Sequence, residues 1–268
     1  MQELQNRPPA KTSKTGSEVH LILQKRDLEL LRALSLLRII DRNQTAKICG
    51  FNSTSRVNTR LLKLSRAGIL KRFFFVSTLG GKKAIYCLSK KGAELIGTVP
   101  NGLSRPSDSF LIGDKFVAHQ LAINEVYCAA HSYIEGGEVR RWQVFKQALS
   151  PACPVIPDAY FEIHSNEAIR PMYLEVDLGT EGIPVWNKKV KEYLGFAATG
   201  EFERLFGHSR FGVLVVTSSE RRMQSLREAV GKLTSKLFYF TTLENLKACG
   251  FWQVPWLRPE GGVPQSLI

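Results

Sequence analysis

The sequence predicts an α+β protein with two folded modules: three helices with a β-hairpin, followed by an α/β module with a mixed sheet. Charge separates the modules, because residues 1–100 hold 19 lysines and arginines against 6 acidic residues, whereas residues 101–268 hold 18 of each. Hydrophobic spacing separates them too, since helical periods come first and strand runs alternate with helices later. The positive charge of the first module predicts a polyanionic partner.

Composition excludes several protein classes. The chain is 44% hydrophobic and 23% charged, which is typical of a folded globular protein, and it has no apolar run of about 18 residues that could span a membrane. Residues 1–16 are polar, so we expect no secretory signal. The five cysteines stand singly, which argues against a structural zinc site and a disulfide framework. We therefore expect a cytoplasmic protein that binds no membrane.

Changes in composition divide the chain into four segments. Residues 1–18 contain Pro8-Pro9 with Lys, Thr, Ser and Gly, and predict a flexible basic arm. Residues 19–97 form the first module. Residues 98–113 are rich in Pro, Gly, Ser and Asp and predict a linker. Residues 114–268 form the second module.

Three helices are expected in the first module. A leucine-rich helical period begins at Arg26, and Asp41-Arg42-Asn43 ends it and offers caps for a second helix over residues 44–49. Ser53 or Thr54 can cap a third helix, whose apolar stripe includes Val57 and Leu61. The second and third helices have the order of a helix–turn–helix.

A β-hairpin should follow these helices. Residues 71–77 and 84–88 are rich in strand formers, and they flank a Gly-Gly turn with basic residues at its tip. A short helix is expected over residues 89–96. Three helices followed by a two-stranded wing predict a winged helix–turn–helix.

The third helix is the expected recognition helix for duplex DNA. Polar and basic side chains at its N-terminal end have the length and chemistry to reach base edges and phosphates in the major groove. The predicted DNA contacts are Ser53, Ser55, Arg56, Asn58, Thr59, Arg60, Lys63, Lys82 and Lys83. Such phosphate contacts predict strongly salt-dependent binding. The alternative is a winged helix that binds protein and leaves these charges solvated.

Strands and helices alternate in the second module. A helix is expected over residues 114–134, and Ile183-Pro184 opens another that runs to about residue 199. The apolar run over residues 211–217 is typical of a strand buried on both faces. The other expected elements are strands over residues 139–145, 159–163, 172–178 and 237–240, and helices from Ser219 and Leu243. A strand–helix–strand crossing implies a mixed sheet covered by helices.

Acidic residues cluster in this second module. Asp158 precedes one expected strand, and Glu175 and Asp177 stand two apart in the next, so their side chains share a face. Carboxylates at that density predict a divalent cation or an exposed sheet edge. The next helix supplies Lys189, and Glu125 on the preceding helix is expected to face the same pocket. Salt bridges to the lysines of the next helix, without a metal, are the alternative.

These residues resemble the PD-(D/E)xK nuclease superfamily. Pro157-Asp158 and Glu175 match its Asp and Glu positions, but Asp177 stands where its pattern has a lysine. Lys189 is the best replacement, since some members carry the lysine on the following helix. The resemblance implies a PD-(D/E)xK nuclease-like α/β domain in which Asp158, Glu175 and Asp177 would hold Mg²⁺. Lys189 would then orient or activate the attacking water, and Glu125 would belong to the same catalytic set.

The chain from about residue 26 to residue 242 also resembles the replication-relaxation family of mobile-element proteins. The order of the matching segments carries this resemblance. They are Arg26-Asp27-Leu28-Glu29, Arg66-Ala67-Gly68-Ile69-Leu70, Tyr86-Cys87-Leu88-Ser89-Lys90, His119-Gln120-Leu121-Ala122, Pro157-Asp158-Ala159, Leu174-Glu175-Val176-Asp177-Leu178 and Lys189-Val190-Lys191-Glu192-Tyr193. The resemblance implies a DNA-binding protein of a plasmid or transposon that acts in replication, DNA relaxation or transfer, with replication, relaxase or transposition proteins as partners.

Two functions stay open at this point. The chain is either a DNA-binding protein whose nuclease-like module serves dimerisation or partner docking, or a Mg²⁺-dependent endonuclease guided by its winged helix. A ligand-responsive repressor would need an apolar pocket that nothing in the sequence indicates. Winged helices often work as dimers, so a homodimer is also open. His119 is expected to cap or pack near the linker, with a catalytic role as the alternative. Arg221, Arg222 and Arg227 are expected to form a solvated helix face, with an extension of the DNA-binding surface as the alternative.

Overall fold

A computed structural model describes residues 21–77, 80–166 and 168–268. The arm predicted over residues 1–18 lies outside the described residues. Within them, helices surround two mixed β-sheets, which confirms the α+β class. The helices are α1 (Lys25–Leu37), α2 (Arg42–Cys49), α3 (Thr54–Arg66), α4 (Lys90–Glu94), α5 (Lys115–Ala130), α6 (Ile183–Ala198), α7 (Glu201–Phe206), α8 (Glu220–Gly231) and α9 (Leu243–Cys249). The strands are β1 (Ile40–Asp41), β2 (Leu70–Val76), β3 (Lys82–Leu88), β4 (Phe110–Ile112), β5 (Gly137–Gln143), β6 (Ala159–Ser165), β7 (Ile169–Asp177), β8 (Gly212–Thr217) and β9 (Phe238–Thr242).

Side-chain caps place the first three helices. The Asp41 carboxylate accepts a hydrogen bond from the Gln44 N–H at 2.9 Å and starts α2, which ends at Gly50 in the left-handed conformation. Ser53 caps α3 by accepting from the Arg56 N–H. One apolar face of each helix enters a common core, while the polar face of α3 remains in solvent.

The first sheet has the strand order β1-β3-β2-β4. The predicted hairpin is β2 and β3, which pair antiparallel with Leu70 opposite Leu88 and Val76 opposite Lys82. Two short strands were not predicted. β1 pairs with β3, and β4, which lies within the segment predicted as a linker, pairs parallel with β2. Residues 110–112 are therefore a strand of the first sheet.

The second sheet has the order β5-β6-β7-β8-β9 and is mixed, as predicted. The pairs β5–β6 and β6–β7 are antiparallel, and β7–β8 and β8–β9 are parallel. All of β8 is buried, which confirms the strand expected from its apolar run. Because β7 and β8 are parallel, Glu175 lies opposite Val215 and Asp177 opposite Thr217, at the carboxyl ends of both strands.

The helix α5 contacts both sheets. Its first turns bury Val117 and Leu121 against the first sheet, and its later turns bury Ile123 and Val126 against the second. The buried Asn124 side chain donates to the Ile39 carbonyl just before β1. A buried polar contact of this kind links the two halves of the chain through one helix.

Helices and aromatic side chains cover both faces of the second sheet. Trp186 and Tyr193 of α6 pack on the face that carries Tyr173 of β7. Phe251 and Trp256 near the C-terminus are fully buried on the opposite face. The helix α7 was not predicted. It has six residues and lies between two glycines with positive φ, so little periodicity marks it in the sequence.

Candidate nucleic-acid interface and carboxylate pocket

The polar face of α3 includes five exposed side chains that were predicted to contact DNA. These are Ser55, Arg56, Asn58, Thr59 and Lys63. The opposite side of the helix buries Val57, Leu61 and Leu64 in the core. In the described part of the chain, neither Arg56 nor Lys63 forms an ion pair with a carboxylate. Both cations therefore remain available to a partner in solution.

A shallow concavity of about 150 Å³ lies between α3 and the hairpin. Asn58 of α3 lines it together with Lys82 and Lys83 of β3. Arg42 and Asn43, at the start of α2, line it as well and were not predicted as contacts. They are polar residues at the start of a helix, and helix N-termini contact phosphates in many DNA complexes. This sequence feature could have predicted them as DNA contacts.

Local contacts hold the two hairpin lysines in place. The Lys82 ammonium lies 4.4 Å from the centre of the Phe74 ring and 4.5 Å from that of Phe110. The Lys83 Nζ lies 3.6 Å from the Asp41 carboxylate. Cation–π contact leaves the charge of Lys82 in solvent while it limits the motion of the side chain.

Two of the predicted DNA contacts have other partners. The Arg60 guanidinium donates two hydrogen bonds to the buried Asp27 carboxylate, and that contact raises the pKa of Arg60. It also donates to the Ile22 carbonyl at 2.9 Å. Ser53 serves as the cap of α3. Arg60 thus fastens α3 to α1, a role that helical spacing alone could not reveal.

A pocket of about 620 Å³ lies where the hairpin, the start of α5 and the end of β7 meet. It brings together four of the five predicted catalytic residues, Asp158, Glu175, Asp177 and Lys189. His119 of α5 also lines it, and we name the pocket formed by these five residues the carboxylate pocket. Phe75 of β2 forms part of the wall, so both modules contribute to it.

Glu175 is buried at the centre of this pocket. Its Oε2 accepts from the Lys189 Nζ at 2.9 Å, and its Oε1 accepts from the Tyr193 hydroxyl at 2.7 Å. Burial raises the pKa of Glu175, although Lys189 and Tyr193 act in the opposite direction. Burial also lowers the pKa of Lys189, but Glu175 and Glu181 raise it by more. The two groups form a buried ion pair, which was the alternative left open for Glu175.

Asp177 is engaged by four donors. Its Oδ1 accepts from the Arg222 Nε at 2.8 Å and from the Gly179 N–H at 2.7 Å. Its Oδ2 accepts from the Arg222 Nη2 at 2.8 Å and from the Trp186 Nε1 at 2.7 Å. Burial raises the pKa of Asp177, but these donors lower it by more. Arg222 is therefore a partner of a buried carboxylate and not part of a solvated helix face.

Asp158 is more exposed than Glu175 and Asp177. Its Oδ2 accepts from the Val176 N–H at 2.7 Å and lies 3.4 Å from the His119 Nε2, which donates to the Val176 carbonyl at 2.8 Å. Burial lowers the pKa of His119, but Asp158, the Val176 carbonyl and Glu175 together raise it to about 9. His119 is thus an imidazolium held against a carboxylate, whereas it was expected to cap or pack near the linker.

Glu125 does not line the carboxylate pocket, contrary to expectation. Its Oε1 accepts from the Gln44 Nε2 at 3.2 Å, and its Oε2 pairs with the Lys47 Nζ at 2.8 Å. These contacts join α5 to α2, on the side of α5 that packs against the first module. Helical periodicity places a residue on a helix face, but it does not say which neighbour covers that face.

The three predicted metal ligands do not fit Mg²⁺ in this arrangement. Both oxygens of Glu175 and both oxygens of Asp177 already accept hydrogen bonds from cationic or neutral donors. Mg²⁺ prefers octahedral oxygen coordination and needs free carboxylate oxygens. No cluster of three or more His, Cys, Asp or Glu residues in the described ranges has the geometry to hold a metal ion.

Comparison with known proteins identifies a family match. The family model described as replication-relaxation matches residues 31–208, which is more than half of the chain. The match covers α3, the hairpin, α5 and the carboxylate pocket. A search of the curated proteins gave no match. None of the helices in the described ranges combines the length and apolar character that crossing a bilayer requires.

Proposed function

The chain belongs to the replication-relaxation family, and from this premise we propose that it is a cytoplasmic DNA-binding protein of a plasmid or other mobile element. Family membership fits a role in the replication or relaxation of such an element. The N-terminal module would bind duplex DNA as a winged helix–turn–helix, with α3 in the major groove and the β2–β3 hairpin as the wing.

The observation that carries this proposal is the unpaired polar face of α3. Arg56 and Lys63 are exposed without an acidic partner in the described structure, and Lys82 and Lys83 stand beside Asn58 in the adjacent concavity. Basic side chains on a helix and a neighbouring hairpin can contact phosphates on both sides of one groove. Asn58, Ser55 and Thr59 supply hydrogen-bonding groups for base edges.

The second module is proposed as a PD-(D/E)xK nuclease-like scaffold for docking or dimerisation. Two of its predicted catalytic residues, Glu175 and Lys189, pair with each other, and a third, Asp177, pairs with Arg222. Buried, mutually paired charges of this kind favour one defined arrangement of the chain. Replication, relaxase or transposition proteins, or a second copy of the chain, are the proposed partners of this module.

A binding experiment tests the proposed contacts. We expect Arg56→Ala, Lys63→Ala and Lys82→Ala together to weaken duplex binding about 100-fold near 100 mM salt, because three phosphate contacts are lost. The matched control replaces three exposed lysines of the second module, Lys191→Ala, Lys232→Ala and Lys247→Ala, and should stay within about twofold of the wild type. Equal affinities of the wild type and the variant with Arg56→Ala, Lys63→Ala and Lys82→Ala in a fluorescence anisotropy titration would contradict the proposal.

The alternative proposal is a Mg²⁺-dependent endonuclease. One observation favours it: Asp158, Glu175 and Lys189 line the same pocket, in the order that the PD-(D/E)xK resemblance requires. Cation binding would require Glu175 to leave Lys189 and Tyr193. The test incubates supercoiled and branched DNA with the protein and Mg²⁺ or Mn²⁺. Nicking that Asp158→Ala and Glu175→Ala abolish would establish the enzyme, whereas tight binding without nicking supports the scaffold.

A further inference from the structure

A second concave surface lies at the amino ends of the parallel strands β7, β8 and β9. It has a volume of about 590 Å³ and carries five basic or imidazole side chains. We name this surface the basic groove, and these side chains are Arg170, His208, Arg210, Lys236 and Arg258. We infer that the basic groove binds the phosphodiester backbone of duplex DNA and gives the protein a second DNA contact besides α3. The inference extends the proposed function to the second module.

Charge segregation is the first argument for this inference. The second module is neutral as a whole, yet no acidic residue lines the basic groove in the described structure. Arg170, Arg210 and Lys236 are exposed, and none of the four Lys/Arg side chains pairs with a carboxylate among the described residues. Like charges that share one concave wall repel each other unless an anion binds between them.

The neighbouring carboxylate does not neutralise the groove. The Glu162 carboxylate lies 3.2 Å from the His208 Nε2, but Glu162 is buried and also pairs with Arg141 at 2.9 Å. Arg141, His164 and the Tyr160 hydroxyl occupy its oxygens as well. Glu162 therefore orients His208 at the edge of the groove, and among the described residues it leaves the arginines and Lys236 without a carboxylate partner.

The aromatic floor of the groove favours a backbone ligand over stacked bases. The Arg258 guanidinium covers the Tyr239 ring at 3.9 Å from its centre. A Cβ at Gly212 would come within 3.1 Å of the same ring and within 2.6 Å of the Met172 sulfur, so the backbone lies close beneath it. The Tyr239 face that Arg258 covers is closed to a base, whereas arginine forks match phosphate oxygens.

The groove and the carboxylate pocket lie at opposite ends of the second sheet. Arg170 and Asp177 are at the two ends of β7, which places them roughly 23 Å apart at about 3.3 Å per residue. The hairpin borders the carboxylate pocket, at the carboxyl end of β7. A duplex that reaches both α3 and the basic groove must therefore be longer than one that fills the α3 site alone.

The experiment measures the binding of a 45-bp duplex to the full chain. We expect Arg170→Glu, Arg210→Glu and Lys236→Glu together to weaken its binding about tenfold and to reduce its salt slope by about two to three. The same charge change at Lys191, Lys232 and Lys247 is the control. The neutral variant Arg170→Gln, Arg210→Gln and Lys236→Gln should give an intermediate loss, and thermal melts confirm that each variant folds.

Each outcome bears on the inference. Wild-type affinity and slope for the groove variant, or an equal loss in the control, would overturn it. The groove variant could lose affinity while the variant with Arg56→Ala, Lys63→Ala and Lys82→Ala does not. That result would contradict the proposed α3 contact and would support DNA binding at the basic groove. A competition experiment with inorganic phosphate distinguishes a groove that binds the DNA backbone from one that binds free phosphate. Displacement of the 45-bp duplex by millimolar phosphate, but not by chloride of equal ionic strength, would assign the groove to free phosphate instead.

Discussion

The polar face of α3 and the carboxylate pocket both concentrate charged side chains, but their charges have opposite relations to solvent. On α3, Arg56 and Lys63 are exposed and unpaired within the described structure. In the pocket, Lys189 contacts Glu175 and Glu181, and Asp177 has four donors. Charges exposed to solvent can attract a binding partner, whereas buried ion pairs favour one conformation of the chain itself. Stability and DNA affinity should therefore respond to different residues.

The largest effect is expected from breaking the buried pair. Lys189→Met leaves the Glu175 carboxylate buried with Tyr193 as its remaining donor, because the ammonium at 2.9 Å is lost. We expect the free energy of unfolding to fall by about 3 kcal/mol. Urea denaturation at neutral pH measures this difference.

The matched control removes both charges. In Glu175→Gln with Lys189→Met no uncompensated charge remains, so most of the lost stability should return. A double variant as unstable as the single one would show that packing, and not the unpaired charge, causes the loss. DNA affinity should be unchanged in both variants, because the carboxylate pocket is expected to affect stability and the α3 face is expected to bind DNA.

Arg60 sharpens the comparison because it is an α3 cation that behaves like a pocket residue. It pairs with the buried Asp27, so Arg60→Ala should cost about 2 kcal/mol of stability. Arg56→Ala, on the exposed face, should cost less than about 0.5 kcal/mol. Thermal and urea unfolding of the two variants measure the contrast. Equal stability losses would break the distinction between the two kinds of cation.

A smaller effect concerns the pH dependence of stability. The pKa of His119 is raised from 6.5 to about 9 in the folded chain, so its contribution is complete below about pH 6.5 and is lost as the pH rises toward 9. The side chain is 36% exposed, and solvent screening reduces the expected contribution to about 1 kcal/mol.

Unfolding curves of the wild type and His119→Gln at pH 6 and pH 9 measure this effect. The wild type should lose more stability than the variant between the two values. Equal losses of stability in the two proteins would contradict a stabilising His119–Asp158 contact. Asp158→Asn is a second control, because it removes the carboxylate that holds the imidazolium.

Local patterns in the sequence predicted much of the fold. The apolar run of β8, the Gly-Gly hairpin and the Ser53 cap each depend on residues that are near neighbours in the chain. Periodicity also predicted that Glu175 and Asp177 share a face of one strand. These features could be found because their physical causes lie within about ten residues.

The contacts that decide the site were not predictable in this way. Arg222 reaches Asp177 from 45 positions away in the chain, and Gln44 reaches Glu125 from 81 positions away. The short strands β1 and β4 form only because a neighbouring strand accepts them, so their own sequences carry little strand signal. The basic groove was missed for the same reason, since its residues come from three strand ends, the loops before β8 and β9, and the segment after α9.

The salt dependence of duplex binding is the most direct test of the central claim, that the exposed cations of α3 and the adjacent hairpin bind DNA. For the wild type, the logarithm of the association constant should fall steeply with the logarithm of the salt concentration. In the variant with Arg56→Ala, Lys63→Ala and Lys82→Ala, the slope should become shallower by about three, close to one for each phosphate contact removed. Parallel lines for the two proteins would contradict the account.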